Sequence, residues 1–306
     1  MNTILRAEFF TSNMTPLLSV CVRTYNQEHF VSDALESILR QKTSFDYEIL
    51  VSDDYSSDKT QSILSDYKQR YPDRIKLILG DNNIGGPNNL RRVIEASSSK
   101  YLAFLDGDDY YIDDYKLQKQ IEFLESHSDF AACFHNVVDI DERQNGRRSL
   151  FLPLDFPEKH DCVSVISNDW FLPIHSVVLR REFVSFPEWY DTVMNDDFVV
   201  NLSVVMHGPY HYMPEIMAVY RHHNGNISNN YSDQILIDSQ LRRILVGFRS
   251  IYPEQYRSVF DERIKFYDER IAFNTREAKQ PWRKFFRAKT YIRAIKAFIN
   301  RYYHSL

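Results

Sequence analysis

Asp106 and Asp108 stand two residues apart, with Gly107 between them, where an apolar run from Tyr101 to Leu105 stops. The run has the length and flanks of a buried strand rather than a helix. A period of two sets both carboxylates on one side of the backbone as the strand ends. Gly107 leaves room for a ligand against the main chain. Paired oxygen ligands at the carboxyl end of a buried strand suit a hard divalent cation, which shares its coordination with phosphates. A bare Asp-x-Asp is more often a polar turn, so the surrounding segments decide its meaning. Two more acidic pairs invite the same question, Asp53-Asp54 and Asp196-Asp197. The second opens a helical pattern, where carboxylates also serve as caps for free N–H groups.

The elements that would position these groups alternate. Strands are predicted over Leu17–Val22, Tyr47–Val51, Ile75–Leu79 and the run before Asp106. Helices are predicted over Glu28–Gln41, Thr60–Arg70 and Leu90–Ala96, the last opened by a Gly/Asn/Pro loop. Such a β-α-β series implies a parallel sheet with helices on both faces and right-handed crossovers. Ligands then sit outside the carboxyl ends of the strands. Three polar loops gather there: Thr24-Tyr25-Asn26, Asp53-Asp54 and Asp106-Gly107-Asp108. No G-x-G-x-x-G follows the first strand, which removes the case for a dinucleotide-binding enzyme. A phosphatase would need its Asp-x-Asp after the first strand, not the fourth. Further on, a helix is predicted over Asp113–Ser126, a strand over Phe130–Phe134, a helix over Phe198–Met206 and a short strand over Met217–Tyr220. The pattern weakens between 136 and 160, and residues 231–306 read as helices.

With 306 residues, the chain allows one large domain or two small ones. A net charge of −5 gives no reason to expect nucleic acid as a partner. Cys21 and Cys133 lie in apolar runs and, with Cys162, lack metal-ligand spacing, so buried thiols in a reducing compartment are expected. The N-terminus has no signal-peptide pattern, and no apolar run approaches about 18 residues. The expected location is the cytoplasm. The stretch 280–301 is strongly basic, with Trp282, Phe285, Ile292, Ile295 and Ile299 near one helical face. It reads either as a helix lying on anionic lipid at the inner face of the membrane or as a terminal helix with a solvated basic face; the C-terminal helices could also pair two copies.

In order, the segments LLSVCVRTYNQEHFVSDALESILRQ, YEILVSDDYSSDKT, NNIGGPNNLRR, YLAFLDGDDYYIDDYKLQKQIEFLE, NDDF and VYRHHNGNIS resemble family 2 glycosyltransferases of the GT-A fold. The likeness is to bacterial enzymes that build surface polysaccharide or lipopolysaccharide, and it covers about residues 16–230. It implies a Rossmann-like, mostly parallel α/β sheet flanked by helices. Residues 16–135 would form the nucleotide-sugar-binding half and 136–230 the acceptor and catalytic-base half of one domain. Residues 231–306 would be a helical extension.

The resemblance also implies roles. Thr24, Tyr25 and Asn26 would line the nucleotide pocket, and Asp53 or Asp54 would read the base. Asp106, beside Gly107, would hold the ribose and help with Mn²⁺ or Mg²⁺. Asp108 would bind that ion, and His223 would close over ion and diphosphate. Asp197 matches the catalytic base, with Asp196 as the alternative. Arg91 or Arg92 would reach the phosphates, although NNIGGPNNLRR departs from the commoner pattern of a small residue and Arg-Asn after the glycine loop. His175 and Trp170 are placed near the acceptor cleft by position alone. The implied reaction is inverting transfer from a UDP-sugar to a hydroxyl of a glycan or lipid-linked acceptor. A dTDP-sugar donor, or a non-catalytic subunit that binds sugar nucleotide or anchors a partner at a membrane, are the rival readings.

Overall fold

The computed structural model describes residues 15–153, 155–168, 171–226 and 233–278. Trp170 and the basic stretch 280–301 lie outside them. The chain separates into two compact units, 1–224 and 225–306.

In the first unit the alternation becomes β1 (Leu18–Thr24), α1 (Val31–Leu39), β2 (Tyr47–Asp53), α2 (Thr60–Arg70), β3 (Ile75–Leu79), α3 (Gly86–Glu95) and β4 (Tyr101–Asp106). These four strands are parallel, in the order β3-β2-β1-β4. β1, β2 and β4 are buried on both faces, which explains their unbroken apolar character. Val31, Ala34, Leu35 and Ile38 form the inner face of α1. That helix starts later than its periodicity predicts, because the N–H groups of Phe30 and Val31 close a turn on the Gln27 carbonyl. α3 starts earlier, because Pro87 fits the first turn, where no amide partner is needed.

Beyond β4 come β5 (Tyr110–Tyr111), α4 (Lys116–Ser126), β6 (Ala132–Asp141), β7 (Arg147–Leu150), β8 (Lys159–His160), α5 (Cys162–Ser167), β9 (Val178–Arg180), α6 (Asp196–Val205) and β10 (Tyr210–His222). The sheet continues β4-β9-β6-β10-β5, with β7 on β6 and β8 on β10. β9 is antiparallel to both of its neighbours, whereas β10 runs parallel to β6. β10 is far longer than its predicted core, and its register slips between Met213 and Ala218. Pro214 lies inside that slip, where a missing amide hydrogen is tolerated. Arg180 stitches the junction: its guanidinium donates to the Tyr101 hydroxyl and to the carbonyls of Phe130 and Leu124. All three cysteines are buried free thiols.

The second unit holds α7 (Gln234–Arg249) and α8 (Arg257–Ala278). Asp233 caps α7 by accepting from the amides of Ile235 and Leu236. Arg270 pairs with Asp238, Arg242 with Asp268 and Arg249 with Asp261. Numbers rise on one helix as they fall on the other, so the two are antiparallel. Asp238 is buried, and losing Arg270 would strand its charge. The other two pairs are half exposed and add little. No described helix is long and apolar enough to cross a membrane.

Candidate active site

The carboxyl ends of β1, β2 and β4 form the floor. At β2, Asp53 is fully buried and its oxygens are saturated. Oδ1 accepts from the Ser56 amide at 2.9 Å and Gln61 Nε2 at 2.7 Å, and Oδ2 from the hydroxyls of Thr24 at 2.9 Å and Ser56 at 2.5 Å. Asp54 turns the other way and accepts from the amides of Ile84 and Gly85 at 2.8 and 2.9 Å, clipping the glycine loop in place. Asn26, in the left-handed region at φ 52°, receives the Ser57 amide on Oδ1 and gives its own amide to the Ser56 hydroxyl. The loops after β1 and β2 are thereby pinned together, with Tyr25 and Tyr55 exposed beside the pins.

The two arginines of α3 separate cleanly. Arg91 faces outward and pairs with Glu95 and Asp191. Arg92 turns in, donating to the Ser52 hydroxyl, the Asp53 carbonyl and Asn89 Oδ1. It is Arg92, not Arg91, that lies against the β2 terminus.

At β4 the turn after Asp106 is tight, with the Asp109 amide donating to the Asp106 carbonyl and the Gly107 amide to the Arg23 carbonyl. A Cβ on Gly107 would come within 2.7 Å of Thr24 Cγ2 and 2.4 Å of Gln27 Oε1, so the residue is small to let the β1 loop close on it. The two carboxylates then take different partners. Asp106 receives a two-pronged contact from Arg23, through Nε and through Nη2 at 3.2 Å. Asp108 Oδ2 meets His223 Nε2 at 3.2 Å. Phe30 stacks on His223 with ring centroids 4.2 Å apart.

Asp109 is buried behind them and takes the Arg221 amide on Oδ1 at 2.8 Å, tying the turn to β10 two residues before His223. His175 Nδ1 lies 3.3 Å from its other oxygen. Burial, then the charges of Asp108 and Asp106, raise the Asp109 carboxyl well above its usual range. Burial lowers His175 to about 4. The Arg221 guanidinium packs over Phe30 and Tyr110 and pairs with Asp33.

The far wall is the head of α6. Arg23 Nη1 donates to Asp196 Oδ2 at 2.5 Å, so one guanidinium joins Asp106 to Asp196. Asp196 Oδ1 also accepts the Asp197 amide, and Asp197 Oδ1 accepts the Phe198 amide. Burial raises both carboxyls; Arg23 draws Asp196 back down, while the neighbouring Asp196 charge adds to Asp197, which reaches about 7.

Asp108 and His223 offer a cation one hard oxygen and one imidazole nitrogen, brought face to face from separate segments. Among the described residues no three His, Cys, Asp or Glu side chains are grouped to hold a metal unaided. The pair therefore fits Mn²⁺ or Mg²⁺ only where phosphate oxygens and water complete the shell, the usual arrangement for a substrate-borne ion.

Comparison with known proteins puts a name to this layout. The profile described as Glycosyl transferase family 2 matches residues 19–185, more than half of the chain. The chain belongs to glycosyl transferase family 2. Among family relatives, the putative teichuronic acid biosynthesis glycosyltransferase TuaG of Bacillus subtilis is 28% identical over 72% of this chain and 84% of its own. The chain spans 62% of the length of uncharacterized Mycobacterium relatives that are 34% identical over 71% of it. S. aureus TarS 1-349 in complex with UDP-GlcNAc superposes with a TM-score of 0.64 at 19% identity, over 83% of this chain and 71% of that one. The mannosyltransferase PcManGT of Pyrobaculum calidifontis, in complex with GDP-Man and Mn²⁺, gives 0.59 at 15%, over 94% and 81%. At these identities the two structures establish the GT-A fold.

Sequence reasoning on this family 2 chain did not single out Arg23, Phe30, Asn89 or Asp109. Arg23 reads as an ordinary polar strand end, and its partners come from segments far away in sequence. Asp109 looks like a continuation of the Asp-x-Asp turn, and its separate job shows in the Arg221 amide and His175, which meet it from distant segments.

Proposed function

We propose that the chain is an inverting, metal-dependent glycosyltransferase that takes a UDP-sugar and transfers the sugar to a hydroxyl of a glycan or lipid-linked acceptor in bacterial surface polysaccharide synthesis. The observation that carries this reading is the meeting of two acidic groups from distant segments, Asp106 and Asp108 at the end of β4 and Asp196-Asp197 at the head of α6, with one arginine joining Asp106 to Asp196. A donor held at the first pair would present its sugar toward the second. The UDP-GlcNAc bound by TarS and the polysaccharide context of TuaG support the donor and acceptor classes.

Asp108 and His223 would hold the ion, and Asp106 the ribose side of the donor. Bound there, the ion would supply positive charge against the leaving diphosphate. Asp197 accepts the proton of the acceptor hydroxyl. The freed oxygen pair bonds to the anomeric carbon while the carbon–oxygen bond to the diphosphate breaks, its electrons staying on phosphate. Attack and departure occur on opposite faces, which inverts the centre. A carboxyl raised to about 7 suits a base working near neutrality. Asp196 is committed to Arg23 and to the Asp197 amide, which favours Asp197 as the base.

The test is calorimetric titration with UDP, dTDP and GDP, each with Mn²⁺ and with EDTA. Binding of UDP in the micromolar range that EDTA abolishes is the expected result. Preference for dTDP or GDP would change the donor class, and no binding of any nucleotide would overturn the proposal.

A further inference from the structure

Arg23 has a role of its own in this site. Its side chain is about one-fifth exposed and sits near the end of β1, between two carboxylates that belong to different elements, β4 and α6. One edge of the guanidinium, Nε and Nη2, is spent on Asp106; Nη1 is spent on Asp196, 173 residues away in sequence. A guanidinium is planar and rigid, so it sets the distance and the relative angle of the two groups it joins. Its backbone carbonyl also receives the Gly107 amide, so the same residue anchors the turn between Asp106 and Asp108. On the other side, Asp196 passes the constraint on: its Oδ1 holds the amide of Asp197. Burial works against the Arg23 charge, but Asp106 and Asp196 override it and keep the group cationic.

We infer that Arg23 is a positioning residue that spans from β4 to α6, fixing the head of α6, and with it Asp197, at a set separation from the donor carboxylate Asp106. Arg23 acts through these two side chains rather than on the reacting atoms. The inference rests on the proposed reading for its kinetic consequence. Its structural content, a brace between β4 and the first turn of α6, stands apart from that reading.

The experiment uses the full chain and the variants Arg23→Gln and Arg23→Lys. Calorimetry with UDP and Mn²⁺ on the wild type comes first. Absence of binding there sinks the proposed function and leaves the brace to be judged by hydrogen exchange alone. In Arg23→Gln, exchange at the Phe198 and Val199 amides should quicken, with α2 amides unchanged. Given a working donor, turnover should fall about 100-fold, the scale of a misplacement of about 1 Å, while donor affinity stays within about threefold. Arg23→Lys keeps the charge but not the two-edged fork. It should recover about tenfold of that loss, and it carries the test if Arg23→Gln does not fold. Wild-type turnover in either variant overturns the inference. So does unchanged exchange at the head of α6, or a loss of donor affinity as large as the loss of turnover, which would make Arg23 a donor ligand.

Discussion

The carboxylate pairs at the ends of β2 and β4 have the same chemistry and the same place in a parallel sheet, yet they are used in opposite ways. Asp53 and Asp54 are met by amides, hydroxyls and one side-chain amide, all neutral donors from the neighbouring loops and α2. Asp106 and Asp108 are met by Arg23 and His223, side chains able to carry charge or to share a ligand. The first pair is built like a joint, the second like a socket. A carboxylate whose acceptor capacity is filled by neutral donors is costly to remove and has little left to offer a ligand. Asp108 and its imidazole partner can share a metal ion, and Asp106 keeps lone pairs beyond those that Arg23 engages.

That contrast can be broken by substitution, and the largest effect is expected at the opposite wall. Asp197→Asn should lower turnover about 1,000-fold with donor affinity nearly intact, as for loss of a general base; steady-state kinetics beside calorimetry decide it, and an active variant would remove Asp197 from the mechanism. Asp53→Ala should cost about 3 kcal/mol of stability by leaving buried donors unpaired, read from urea unfolding. Asp108→Ala should do the reverse: unfolding little changed, and metal-dependent UDP affinity down about 100-fold. If Asp53→Ala spared stability and Asp108→Ala cost it, joint and socket would have been assigned the wrong way round.

Two smaller effects sharpen the picture. Asp197 has its proton affinity raised to about 7 and must be ionised to accept a proton. Turnover should therefore fall about tenfold for each pH unit below about 7 and level off above it. A pH–rate profile whose acid limb lies near the ordinary carboxylate range would contradict this. Tyr55 adopts φ 64° in the loop beside Asp53, a strained setting for a bulky residue. Tyr55→Gly should raise stability by about 1 kcal/mol, a gain visible as a higher melting temperature.

Much of the β1–β4 half was legible because its elements are short, regular and locally connected. The predicted edges of α2 and β3 coincide with the observed ones. Legibility fails where tertiary partners decide the conformation. β6 runs on to Asp141 through residues whose pattern is weak alone, because β7, β9 and β10 supply its ladder. β10 hides behind Pro214 and Glu215, which mark a slip in register rather than an end. At the site the acidic residues stood out by type and spacing. Their cationic partner Arg23 did not, since no local spacing ties it to Asp106 or Asp196. Nor did spacing separate Arg91 from Arg92, whose directions follow from how α3 is rolled against β2.

The three-residue strand β9 carries a consequence for the order of assembly. Among the described residues it alone bridges β4 and β6 in the ladder, and it is synthesised after both. Loop closure over that distance is slow compared with pairing of β1 to β2, where Leu18 meets Tyr47 across a much shorter loop. An emerging chain would therefore hold β4 and β6 as open edges until Val178–Arg180 arrives, and pulsed exchange should find β1 amides protected before those of β6. Arg180, which reaches Tyr101, Leu124 and Phe130 at once, is then less a surface ornament than the latch that closes the interval. The acidic wall at α6 lies downstream of that latch, so Arg23 meets Asp196 only after the sheet has been joined.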